Sequence, residues 1–412
     1  MRGGIFLADC RCGLVVNLAR GKIALDVETN RIAALAVGES EASLFSLSGR
    51  DRLRATFSRL GLPVIDNADE APAFDNVLIA NAGYVFDERV IADFAKTRLA
   101  ALATKGEDGN ERLAAAMCRG AEGRRWADRL QADAEAGSIA DGEAVTLYTA
   151  AEISGTYNQR LRKREEPVIA RASLQRKDEM ERRLFKGSYK GATDFVTKFV
   201  LPEPAFHATR LAAALGIHPN VITTASLVLV ISAFFLFMNG QFAIGLIAAW
   251  LMCFLDTVDG KLARVTLQSS KWGNVYDHGI DLIHPPFWYW AWATGSVAKG
   301  ELSGFAASDA LAAFWIILVG YITGRLIEGY FVRRFKIEIH IWRPVDYWFR
   351  HVTSRRNPNL AILTISAIAG APIIGLFAVA FWTAASVGFH IVRLIAAELA
   401  AQNGALKSWL AE

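Results

Sequence analysis

The spacing of apolar and polar positions changes character near residue 200. Before it, short apolar runs alternate with charged, helix-periodic stretches. "GGIFLADC" (3–10), "GKIALDV" (21–27), "RIAALAV" (31–37), "PVIDNA" (63–68) and "NVLIANAGYVF" (76–86) read as buried strands. "DERVIADFAKTRLAALA" (87–103) and "GRRWADRLQADAEAG" (123–137) read as helices. Such alternation predicts a soluble α/β domain over residues 1–160. A basic stretch, "NQRLRKREEPVIARASLQRKDEMERRLFKGSYKG" (158–191), follows. It predicts juxtamembrane linker helices over 161–218, either solvated or lying on an anionic membrane surface.

From about Asn220 the rhythm is that of a membrane protein. Ala225 to Leu255 contains no charged residue and is too long for one span of about 20 residues. "MNGQ" (238–241) divides it into a hairpin. Further apolar segments cover about 280–297, 306–324, 360–370 and 373–392, with "GAP" (370–372) turning the chain between the last two. The expectation is six membrane helices over 219–400, an all-α membrane domain behind the α/β domain. Basic residues fall in alternate loops: Lys261, Arg264 and Lys271 in one, and Arg333, Arg334, Lys336, Arg343, Arg350, Arg355 and Arg356 in another. The opposite loops hold little beyond Lys299. That asymmetry predicts a multi-pass protein of the inner (cytoplasmic) membrane, with the N-domain and basic loops facing the cytoplasm.

Composition agrees: 53% of the 412 residues are hydrophobic, and mean hydropathy is +0.24. A net charge of +4 gives no ground for a nucleic-acid partner. Cys10, Cys12, Cys118 and Cys253 lack zinc-site spacing and read as free thiols. The first residues have no long apolar core, so no signal peptide is expected.

The chemistry concentrates in "LDTVDGKLARVTLQSSKWGNVYDHGIDLIH" (255–284), placed directly after the uncharged stretch. Asp256 and Asp259 are three apart, and Gly260 and Ala263 continue the same helical face, followed by Arg264. Gly273, Asp277 and Asp281 form a second stripe at four-residue spacing. Two facing helices would bring four carboxylates together at the membrane edge. They cannot all ionise without compensating cations, and charge in a membrane is costly unless functional. Oxygen ligands without His or Cys favour Mg²⁺ or Mn²⁺, with Ca²⁺ as an unproductive occupant. Two such ions would clamp a diphosphate. Arg264 can fork onto a phosphate, and one carboxylate can take a proton from an attacking hydroxyl.

The pattern D-x₂-D-G-x₂-A-R-x₈-G-x₃-D-x₃-D resembles the signature of the CDP-alcohol phosphotransferase (phosphatidyltransferase) family, over about residues 185–400. The resemblance implies that Asp256, Asp259 and Asp277 bind two divalent ions, and that Asp281 joins the metal site and serves as general base. Asn220 and Thr223 of "PNVIT", with Asp256, Gly260, Ala263, Arg264, Ser270 and Gly273, would contact CDP. It also implies a homodimer in the lipid bilayer, CDP-diacylglycerol or another CDP-alcohol as donor, and a small alcohol as acceptor. The activity implied is transfer of a phosphatidyl group with release of CMP, in phospholipid synthesis. Arg325, Arg355 and Arg356 are the candidates for binding an acceptor phosphate, as of inositol phosphate or glycerol phosphate.

The N-domain faintly resembles sugar-phosphate nucleotidyltransferases. The glycine-rich G-x-G-x-R segment of active members is missing, so an inactive, structural or regulatory domain is expected. His278 and His284 are read as hydrogen-bonded structural residues. Competing readings are an enzyme using CDP-inositol to make a soluble inositol phosphodiester, a cation channel, and a non-catalytic membrane protein.

Overall fold

The structure, a computed structural model, describes residues 31–106, 109–139, 145–300 and 302–411. The strands expected at 3–10 and 21–27, Cys10, Cys12 and the N-terminal segment read as lacking G-x-G-x-R lie outside the described residues.

The soluble part comprises β1 (Ile32–Val37), α1 (Gly49–Arg59), β2 (Val64–Ile65), β3 (Asn76–Asn81), β4 (Tyr84–Phe86), α2 (Glu88–Phe94), β5 (Ala100–Lys105), β6 (Glu111–Arg119), α3 (Gly123–Gln131), β7 (Thr146–Tyr148) and α4 (Ala150–Ser154). Six strands form one sheet in the order β2-β1-β3-β6-β5-β7. β1 runs parallel to β2 and β3, and β6 runs antiparallel to β3 and β5. Apolar clusters cover both faces. The α/β expectation therefore holds, with one element changed. "RLAALA", read as the end of a helix, is the strand β5. Ala100 to Leu102 are fully buried between layers, as are Ala114 to Ala116 in β6. Alanine favours helix in isolation, but only small side chains let helices pack closely on both faces of this sheet, and packing outweighs propensity.

The expected boundary at residue 160 falls within the soluble fold. A hairpin of β8 (Tyr157–Asn158) and β9 (Lys163–Arg164) precedes β10 (Ile169–Arg171), which pairs with β4. Helices α5 (Lys177–Gly187) and α6 (Pro202–Ala214) then lead into the apolar region. The charges of α5 are largely paired: Arg182 with Asp178 (3.0 Å) and Glu203 (2.6 Å), and Arg210 with Asp178 (2.9 Å). Its apolar side, with Met180 and Phe185, is buried against protein.

Six helices follow where six spans are expected, with the short helix α11 among them: α7 (Pro219–Met238), α8 (Phe242–Val265), α9 (Lys271–Ala298), α10 (Ala307–Phe335), α11 (Pro344–Arg350), α12 (Arg356–Ile368) and α13 (Pro372–Ala401). Among the described residues, α7, α8, α10 and α13 are long and apolar enough to cross a membrane. α9 is long enough but carries the second aspartate stripe. The 13 residues of α12 reach about 20 Å, short of a hydrocarbon core of about 30 Å. The hairpin turn at 239–241 is made by Gly240 at φ +66°. Cys118 and Cys253 are free and buried.

The two parts are docked through one apolar cluster in which Phe45 meets Phe185, Phe206, Ile222, Val258 and Leu262. The Phe45 amide donates to Glu181 (2.9 Å), which pairs in turn with Arg210 (2.9 Å). Phe206 stands edge-on to Phe45 and Phe185 and is 1% exposed. Phe206→Ala is expected to cost about 3–5 kcal/mol, read as a lowered unfolding temperature of the detergent-solubilised protein.

Candidate metal and nucleotide site

The site is built where α8 ends and α9 begins. The chain reverses through 266–270, with Leu267 in the left-handed region (φ +55°). Ser270 then caps α9, its Oγ accepting from the Gly273 amide at 2.9 Å. The reversal sets Asp256 and Asp259 of α8 against Asp277 of α9. Carboxylate oxygens of these three lie within 4.8 Å of one another.

Asp259 is the most buried of them, 4% exposed. Its Oδ2 accepts from the Thr223 hydroxyl at 2.6 Å, while its Oδ1 is buried with no partner. Three converging carboxylates with one orphaned buried oxygen fit a divalent cation. The threonine orients the ligand in the way outer partners of metal sites do.

The other CDP candidates gather at the same corner. A Cβ on Gly273 would lie 2.9 Å from Asn220 Oδ1 and 3.0 Å from Ser270 Oγ, so a larger residue there would displace these two side chains. Gly260 leaves room for the Arg264 guanidinium, which would lie 3.2 Å from a Cβ. Ala263 contributes its carbonyl, which accepts from Gln268 N (2.9 Å) and Ser269 Oγ (3.0 Å) to hold the turn.

Asp281 stands one turn beyond Asp277, outside the trio, and pairs with Arg356. The same guanidinium reaches Asp256 at 2.6 Å. Arg356, read from the sequence as an acceptor residue, thus bridges two of the four motif aspartates. Arg325 and Arg355 go elsewhere. Both meet Glu328 of α10, at 3.3 and 2.5 Å, and His340 joins the same carboxylate at 3.1 Å. Burial pushes the His340 imidazole down to about 3, so it is neutral there. A small polar-lined cavity of about 30 Å³ connects the groups, walled by Tyr289, Arg325, Glu328, Arg355, Arg356 and His390.

Glu328 and His390 escaped the sequence reading. An acid among the apolar residues in the second half of α10 was the signal for Glu328; His390 had none. His284 Nδ1 donates to the Ile280 carbonyl at 2.7 Å and its ring stands edge-on to Trp288, as a structural histidine does. His278 sits 3.5 Å from Asp277.

Residues 216–387 match the family model for CDP-alcohol phosphatidyltransferase. A curated relative, archaetidylinositol phosphate synthase of Pyrococcus horikoshii, is 29% identical over 102 residues, which is 24% of this chain and 54% of that protein. The chain thus spans about half the length of the curated relative it matches. Among solved structures it is similar to Mycobacterium tuberculosis phosphatidylinositol phosphate synthase (PgsA1) with CDP-DAG bound. The identity is 18%, the cover 45% of this chain and 91% of that one, and the TM-score 0.35.

Thr223→Val removes the bond that aims Asp259 and is expected to weaken Mn²⁺ binding about 10–100-fold, measured by the electron paramagnetic resonance of free and bound Mn²⁺.

Proposed function

We propose that this chain, whose residues 216–387 are a CDP-alcohol phosphatidyltransferase domain, moves a phosphatidyl group from CDP-diacylglycerol to an alcohol acceptor with release of CMP. The observation that carries this reading is the gathering of Asp256, Asp259 and Asp277, with one oxygen orphaned, beside Asn220, Ser270, Gly273 and Arg264. Two divalent ions, Mg²⁺ or Mn²⁺, would be held by the three carboxylates with Asp281 at their edge, and would supply neutralisation of the diphosphate charge. Arg264 adds a fixed cation where the leaving phosphate gathers charge.

The residues divide the work. Asp281 takes the proton of the acceptor hydroxyl, whose oxygen attacks the phosphorus bearing the lipid. The bond from that phosphorus to the CMP oxygen breaks, and CMP leaves with the electron pair. Arg356 holds Asp281 and Asp256 in register.

A lipid donor is supported by an apolar groove of about 640 Å³ between α7 and α9, lined by Val230, Ile231, Phe234, Ile280, Ile283 and Phe287. Tyr276 and Ile280 line it too, and Asp277 and Asp281 follow each of them in the chain. An acyl chain in the groove would lie along the same turns of α9 that carry the two carboxylates. A phosphorylated polyol, inositol phosphate or glycerol phosphate, is supported as acceptor by the three arginines, Arg325, Arg355 and Arg356, that share one cavity wall with Glu328. The curated relative's name, with its inositol phosphate headgroup, agrees. Basic loops on one side support a multi-pass protein of the cytoplasmic membrane with the site facing the cytoplasm. We further propose a homodimer, and a nucleotidyltransferase-like soluble domain that acts as a scaffold without chemistry of its own.

Asp281→Asn is expected to lower turnover about 10²–10⁴-fold in membranes given labelled CDP-diacylglycerol, Mg²⁺ and a panel of inositol phosphate, glycerol phosphate, serine and inositol. Near-normal turnover would sink the mechanism. The labelled product should partition into organic solvent; a water-soluble product formed from CDP-inositol would favour the soluble-phosphodiester reading instead.

A further inference from the structure

Lys261 follows Gly260 in the aspartate motif, is 4% exposed, and has no carboxylate partner among the described residues. Its ammonium lies 3.1 Å from the centroid of the Tyr189 ring and 3.5 Å from the Ser188 carbonyl. A buried ammonium ordinarily takes a counter-charge. Three residues on, Arg264 Nε is buried without a partner, and so are the Tyr189 hydroxyl and Arg350 Nη1. Lys190, next in the chain, stays exposed and makes no ion pair among the described residues. Arg264, Arg162 and Arg350 act on it as like charges, and Asp277 as an opposite one. Cations from α8, from the loop after α5 and from α11 thus converge with little to neutralise them.

The loop is held in that position by the soluble part. The Gly191 amide donates to the Leu161 carbonyl at 2.8 Å. A Cβ at Gly191 would lie 2.0 Å from the Arg162 carbonyl oxygen, so the β8–β9 turn sits directly on the loop. Lys163 donates to the Gly187 carbonyl at 2.9 Å. Arg162 pairs with Glu338, beyond the end of α10. The hairpin therefore spans from the loop to the far side of the membrane site.

We infer that Ser188–Gly191 is a phosphate-binding loop, with Lys190 its ligand between the Arg264 side and the Arg350 side, and that the β8–β9 hairpin positions it. The ligand class is a phosphoryl or diphosphoryl group. Two sources share that chemistry: the diphosphate of the donor and the phosphate of the acceptor. The inference rests on the transferase reading and extends it to residues outside 216–387, so that the soluble part completes the site.

Full-length protein with Lys190→Met and Lys190→Arg separates the possibilities. CDP with Mg²⁺ is titrated calorimetrically, Mn²⁺ binding is followed by resonance, and KM is measured for CDP-diacylglycerol and for inositol phosphate. Lys190→Met should weaken CDP binding, or raise KM for the phosphorylated acceptor, about tenfold. Lys190→Arg should recover most of the loss, and Mn²⁺ binding should match the wild type in both. A change in the CDP arm assigns the loop to the donor; a change in the inositol phosphate arm assigns it to the acceptor. Unchanged values in both arms, or equal defects in the Met and Arg variants, overturn the loop's role and leave the transferase reading standing. Wild-type protein that neither binds CDP nor turns over defeats that reading, and the inference with it.

Discussion

Carboxylates held within 4.8 Å of one another at the edge of an apolar bundle repel strongly unless cations are supplied. The rest of the membrane part is arranged around that repulsion. One arginine, Arg356, spans Asp256 and Asp281, and one threonine ties down half of Asp259. The remaining oxygen of Asp259 is left without a partner. Everything that brings the helices together here, from the Ser270 cap to the missing side chain of Gly273, keeps acids close rather than separating them. A fold selected for stability alone would space or neutralise them. This one spends packing precision on an arrangement that favours a bound cation.

The second constraint is the joint between the soluble and membrane parts. Phe45 and Phe206 make it apolar, and Glu181 with Arg210 makes it directional. An apolar joint of this kind resists hinge motion more than a polar one. The β8–β9 hairpin is consequently carried to a definite place above the end of α8. Charges on the loop after α5 keep a fixed relation to the aspartates, which a flexible tether would not provide.

The apolar hairpin, its division at "MNGQ" and the aspartate spacing were legible in the sequence because charge beside an uncharged stretch is rare and helix periodicity is simple. The strand β5 was not, since "RLAALA" has a helix former's composition and becomes a strand only through burial on two faces. The linker boundary was misplaced because β10 pairs with β4, a long-range contact that no local pattern announces. Arg356 was legible as a candidate, but its bridging of Asp256 and Asp281 was not, as sequence spacing cannot say which acid an arginine meets. Lys190 and Arg350 looked like ordinary flanking charges. What distinguishes them is the lack of partners, a property of three-dimensional placement alone.

The brevity of α12 has a geometric consequence. A helix of 13 residues starting at Arg356 cannot begin at one face of a bilayer and finish at the other. One of its ends must therefore stop within the thickness of the longer helices around it. Its first turn stands on the wall of the small cavity with Ser354, Asn359, Thr383 and Tyr289 of α9, whereas the apolar groove opens on another side of α9, toward α7. On the transferase reading, a water-borne acceptor and a lipid-borne donor would thus reach the aspartates past different sides of one helix.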